Sequence, residues 1–318
     1  MKKIILIVLS FILALGCLCG CGGGQSADGL RIVCTIFPVY DWMRELTAGA
    51  DVELILIADN GVDMHSYQPT TGDIVDISTC DMLVGVGGES EEWLAEVLDR
   101  SGREDTLVVE LLDAMGGHAL ENSTQLHDHD HGGHDHDCVL DEHVWLSPAN
   151  ARTLCAHLTG QLMALDADNA ALYEANGAEY AQRLSALDEQ YRQAAQEASA
   201  GALLFADRFP FRYLTNDYGI EYYAAFDGCS AETEASFETV AQLSSALEQH
   251  ELDCVLIIEG SEDSLARTII DGSGRGDCAI LSVDSMQSVT AQDMENGVTY
   301  IGIMEENLSV FRQALGCE

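Results

Sequence analysis

Short runs rich in apolar and β-branched residues recur along the chain at 30–36, 52–57, 82–86, 106–111, 202–205, 221–225, 255–258 and 279–283. Their length and composition predict buried strands. Between them, apolar residues return at helical spacing over 39–48, 92–101, 211–218, 237–249, 264–271 and 300–315. Pro69-Thr70-Thr71 opens a further helix running through Ile77. Ser147-Pro148 opens another, with serine as the cap and proline in the first turn. Strand and helix alternate throughout, which predicts an α/β fold of mainly parallel sheets covered by helices.

One stretch breaks the alternation. Residues 168–199 hold no proline and a single glycine, and Tyr173, Tyr180, Leu184, Leu187 and Tyr191 form one helical stripe. A helix of that length spans on the order of 45 Å. The expected organisation is therefore two α/β lobes, 30–167 and 201–318, joined by one long rigid helix over 168–200. A chain of 318 residues is long enough for two such cores.

Composition narrows the partners. Fourteen Lys and Arg against 54 Asp and Glu give a net charge of −40. Phosphate backbones would repel such a chain, which argues against nucleic-acid binding, and anionic membrane surfaces are poor partners as well. Cations are the natural ligands of this field, although acidity also serves the solubility of a secreted protein.

The N-terminus points to export. Lys2 and Lys3 precede an apolar run at 4–15 interrupted only by Ser10, the pattern of a signal peptide over 1–20. Leu18 three residues before Cys21, with Gly20 just before it, resembles a bacterial lipobox; Cys17 is the rival position. This implies lipidation of Cys21, a tether over 21–29 and an anchor on the outer face of the cytoplasmic membrane. The 11 cysteines are widely scattered, and most, Cys80 and Cys155 among them, read as small buried hydrophobes.

Three places carry chemistry. Residues 118–137 hold His118, His127, His129, His131, His134 and His136, most of them alternating with aspartate and with little apolar to pack. Such a loop suits weak, exchangeable collection of zinc and similar ions; the alternatives are a solvated polar loop or an engineered tag. His65, in Gly61-Val-Asp-Met-His65-Ser-Tyr, lies in the loop leaving a strand's carboxyl end, where doubly wound sheets place ligands. His143, in Asp141-Glu-His143-Val-Trp, lies just before a capped helix and could face the same crevice.

The segments GVDMHSYQPTTGDI, CDMLVGVGGESEEWL, DEHVWLSPANA and GVTYIGIMEENL closely resemble the zinc and manganese substrate-binding lipoproteins of bacterial ATP-binding-cassette transporters. The His-rich acidic loop resembles the zinc members. The resemblance implies two α/β lobes joined by a long helix, with the metal held between them. It implies His65 and His143 as N-lobe ligands, Asp207 where many zinc members carry a third histidine, and Asp284 as the fourth. Both aspartates sit at predicted strand carboxyl ends, as does Glu259, a further candidate; Glu232 and Glu234 are further carboxylates that could reach inward, or could cap a helix or pair with Arg208 or Arg212.

The expected function is capture of Zn2+ by a monomer and its delivery to a membrane permease, without enzymatic turnover. Manganese (Mn2+) is the alternative cargo, since two imidazoles and two carboxylates suit either ion. A zinc hydrolase would need an open coordination position and a base, and no His-Glu-x-x-His stretch occurs. A surface adhesin is the remaining class, and nothing in the sequence specifies a host partner.

Overall fold

The computed structural model describes residues 29–103, 105–122, 140–230 and 234–317. The signal segment, Cys21, Glu232 and the loop histidines His127, His129, His131, His134 and His136 lie outside the described residues.

The first lobe begins with strand β1 (Leu30–Cys34), helix α1 (Phe37–Leu46) and β2 (Val52–Leu56). It continues through α2 (Thr71–Thr79), β3 (Met82–Gly85), α3 (Trp93–Ser101), β4 (Leu107–Glu110) and the short α4 (Leu111–Met115). Helix α5 (Pro148–Leu165) leads into the connecting helix α6 (Ala170–Glu197). The second lobe comprises β5 (Leu203–Phe209), α7 (Arg212–Tyr218), β6 (Tyr222–Asp227), α8 (Phe237–Gln249) and β7 (Cys254–Ile258). It closes with α9 (Ser264–Ser273), β8 (Ala279–Val283), α10 (Ala291–Glu295) and α11 (Tyr300–Ala314). Among the described residues no helix is long and apolar enough to cross a membrane.

Each lobe carries a four-stranded parallel sheet, ordered β2-β1-β3-β4 and β6-β5-β7-β8, so the two lobes share one topology. The α/β alternation expected from the sequence is therefore present in both halves. Local signals explain the helix starts. The Thr70 hydroxyl and Asp73 carboxylate form a reciprocal capping box at α2. At α5, the Ser147 hydroxyl accepts from the Asn150 N–H, with proline in the first turn. The five-residue helices α4 and α10 are too short to show a period, so nothing in the apolar pattern announces them.

Helix α6 is 28 residues long. Its tyrosine and leucine stripe is buried. The Tyr191 hydroxyl donates to the Met304 carbonyl in α11 at 2.7 Å, while the Asn176 amide donates to the Leu46 carbonyl at the end of α1 at 3.0 Å. The helix is thus fastened to both lobes.

The lobes also share one core. A single apolar cluster runs from Ile32 and Trp42 through Trp145 and Tyr180 to Phe205, Tyr300 and Phe311. A smaller cluster, with Leu243, Val255 and Ile269, lies under α8 and α9. Buried hydrogen bonds cross the junction. The Trp145 indole donates to the Ser285 carbonyl at 3.0 Å, the Tyr300 hydroxyl to the Trp145 carbonyl at 2.7 Å, and the Tyr300 N–H to Asp41 at 2.8 Å.

Candidate metal centre

His65 reaches the crevice from the loop after β2. Residues 64–66 form a single 3-10 turn capped by Asp63, whose carboxylate accepts the His65 N–H at 3.0 Å. The other oxygen of Asp63 pairs with Arg208 of β5 at 2.6 Å, so this turn is fixed from the opposite lobe. Burial works to raise the Asp63 pKa; the Arg208 guanidinium and His65 outweigh it and hold the carboxyl below its usual value.

His143 is wholly buried. Asp141 accepts from both its backbone N–H, at 2.9 Å, and its ring Nδ1, at 3.0 Å. That bond fixes the tautomer and leaves Nε2 as the free nitrogen, the arrangement that a carboxylate behind a ligating imidazole provides. The His143 ring lies tilted against Trp145, with centroids 5.1 Å apart.

The two rings meet at their Nε2 atoms. The Nε2 atoms of His65 and His143 stand 3.4 Å apart. A zinc ion bound tetrahedrally at its usual Zn–N distance separates two nitrogens by about 3.3 Å. The Sγ of Cys229 completes the group: ligand atoms of His65, His143 and Cys229 all lie within 4.8 Å of one another.

Cys229 follows the carboxyl end of β6. Burial acts to raise its thiol pKa, but hydrogen bonds with His143 and His65 prevail and bring it down to about 7. Burial likewise opposes protonation of His143, and Asp141 and Cys229 overcome it, so the His143 pKa is raised. A close approach makes the arrangement possible. A Cβ at Gly228 would lie 2.8 Å from the Phe209 carbonyl oxygen and 3.0 Å from the His143 ring. Only glycine lets β6 pass so near the imidazole.

Asp207, Asp284 and Glu259, named from the sequence, are engaged by neighbouring backbone and hydroxyl groups. Asp207 sits in an irregular stretch of β5, where pairing with β6 shifts register between Phe205 and Arg208. One of its oxygens accepts the Arg208 N–H at 2.8 Å and the other the Ile258 N–H at 3.1 Å. Asp284, after β8, accepts the Met286 N–H at 2.6 Å. Burial first, and Glu259 second, push its pKa up to about 6. Glu259 accepts from the Ser285 N–H at 2.7 Å and the Ser285 hydroxyl at 2.6 Å. His118 and Glu234 are exposed. None of these belongs to the three-residue group.

Cys229 is the residue that reading the cysteines as buried apolar side chains passes over. The cue available was the same one that singled out His65: a side chain able to ligate a metal shortly past a strand's carboxyl end, here preceded by glycine.

Comparison with known proteins gives a consistent result. The family described as "Zinc-uptake complex component A periplasmic" matches residues 32–314. The zinc-binding lipoprotein AdcA of Streptococcus pneumoniae is 30% identical, over 98% of this chain and 61% of its own length. The present chain thus spans less than two thirds of that relative. The high-affinity zinc uptake system protein ZnuA of Bacillus subtilis is 27% identical, over 92% of this chain and 89% of its own. Among solved structures, the Zn(II)-bound ZnuA-like domain of S. pneumoniae AdcA matches with a TM-score of 0.71 at 26% identity, covering 90% of this chain and 99% of that domain. The periplasmic zinc-binding protein TroA of Treponema pallidum matches in fold with a TM-score of 0.72 at 23% identity, over 90% and 99% of the two chains.

Proposed function

The chain belongs to the family of periplasmic A components of zinc-uptake complexes, and from that premise we propose that it captures zinc outside the cytoplasm. We propose delivery to a membrane permease of the ATP-binding-cassette type, by a monomer held at the membrane through lipid on Cys21. The role is binding without turnover. Manganese is the secondary cargo to be tested.

The observation that carries this reading is the pair of imidazole nitrogens 3.4 Å apart. Neutral imidazoles are good zinc donors, and their Nε2 atoms already stand at the edge length of a zinc tetrahedron. Asp141 behind His143 supplies the orienting carboxylate that such ligands usually have. Asp284, with Glu259 beside it, is the proposed acidic reserve of the crevice. Burial first, and the neighbouring charge of Glu259 second, raise its pKa. Asp207 has both oxygens engaged by backbone N–H groups, so its proposed role is to shape the crevice wall.

Metal analysis of protein purified without added metal, followed by competition between Zn2+ and Mn2+, tests the proposal. Zinc should be retained at one tight site and displace manganese. Deleting residues 126–137 should lower the total metal bound yet leave that tight site, because a polar loop collects ions weakly. Loss of the tight site with the loop would refute this division. An adhesin reading predicts instead that growth in metal-depleted medium is indifferent to the protein.

A further inference from the structure

We propose that Cys229 is the third protein ligand of this centre and that its thiolate sorts the cargo, admitting thiophilic ions such as Zn2+, Co2+ and Cd2+ and rejecting Mn2+. The inference rests on the metal-capture reading above and deepens it by naming the ligand that sets the class of ion.

Three features of the fold support it. First, Sγ of Cys229 and a ring nitrogen of each histidine lie within 4.8 Å of one another, the only such group of three or more among the described residues. Second, the carboxyl end of β5 offers nothing in its place. Asp207 has its oxygens on the Arg208 and Ile258 N–H groups, and Arg208 is a cation paired with Asp63. A ligand from the second lobe must therefore come from another strand end, and β6 presents Cys229 there. Third, the approach is built. Gly228 leaves no room for a Cβ between the Phe209 carbonyl and the His143 ring, so the backbone carrying Cys229 is pressed against that imidazole.

The chemistry follows from donor softness. Thiolate ligands favour zinc and other soft or borderline ions, whereas manganese prefers oxygen donors. On binding, the thiol gives its proton to solvent and the sulfur lone pair forms the bond to the metal. Sulfur and two nitrogens fill three corners of a tetrahedron, and a carboxylate or water takes the fourth. The two histidines come from the first lobe and the cysteine from the second, so the ion itself would bridge the lobes.

Cobalt titration of the full chain tests the proposal, in a Cys138→Ser background so that the cysteine next to the His-rich loop is silent. A thiolate bound to Co2+ gives an intense near-ultraviolet charge-transfer band that imidazole and carboxylate ligands do not give. The band should appear at one equivalent and vanish in Cys229→Ser. In that variant zinc affinity should fall by at least about tenfold while manganese affinity changes little, as expected for loss of a soft donor. Bound zinc should also shield Cys229 from alkylation by iodoacetamide, read by mass spectrometry. If tight zinc binding persists in Cys229→Ser and no charge-transfer band forms, the thiolate is not a ligand, although metal capture stands. If the parent protein holds no tight zinc, or His65→Ala binds it as well as the parent, the capture reading itself falls.

Discussion

Gly228 determines whether His143 keeps its place. Gly228→Ala should displace the imidazole or the strand end, costing about 1–3 kcal/mol of stability as other overpacked sites do. Zinc affinity should fall with it; calorimetric titration and thermal unfolding would check both. Glu91 offers a second test at this scale. It is fully buried, and burial foremost raises its pKa from 4.5 to about 7. The native state thus holds a proton that the unfolded chain has released. That contribution is fully present below about pH 4.5 and is lost as pH rises through about 7, by on the order of 3 kcal/mol. Glu91→Gln should therefore gain stability relative to the parent at pH 8 and show little difference at pH 5, by chemical denaturation. The sequence named His65 and His143 from their loops, and the fold brings their two rings together. Cys229 carried only the cue of its place past a strand end, because the close glycine approach and the two rings beside it are assembled by the folded chain.

The strands and helices were largely legible because their apolar periods are long enough to count. The exceptions are informative. The apolar signal of β5 stops at Phe205, but the strand extends to Phe209 through an irregular stretch bearing two charged residues. Asp207 makes that extension possible by accepting the Ile258 N–H, a bond from the neighbouring strand that regular pairing would otherwise satisfy. Only the pairing of β5 with β7 reveals this, and sequence periodicity does not report it. Asp207→Ala should therefore leave a buried N–H without its partner and cost about 1–3 kcal/mol in thermal stability without metal. If the variant instead keeps its stability and loses zinc affinity, the carboxylate turns to the metal when the ion arrives.

At the scale of the molecule, the two lobes behave as one packed body. They share a core, α6 is hydrogen-bonded to both, and the loop carrying His65 is already tied to the second lobe. The Ala291 N–H donates to the Asp59 carbonyl at 2.8 Å, and Asn60 bridges to Thr290. Wide hinge closure would have to break these contacts, so zinc should change the radius of gyration by little; small-angle scattering of the two states would check this. The union of two lobes into one core was not legible in the sequence, because apolar patterning does not say which faces meet. One contact at that junction has an optical consequence. The Trp145 indole lies beside the His143 ring and donates across the lobes to the Ser285 carbonyl, while Trp42 and Trp93 pack against Tyr300 and Tyr67 instead. An ion arriving at His143 changes the field at the fluorophore of one tryptophan out of three. The protein therefore carries its own gauge of occupancy, readable as a shift in intrinsic emission without any label.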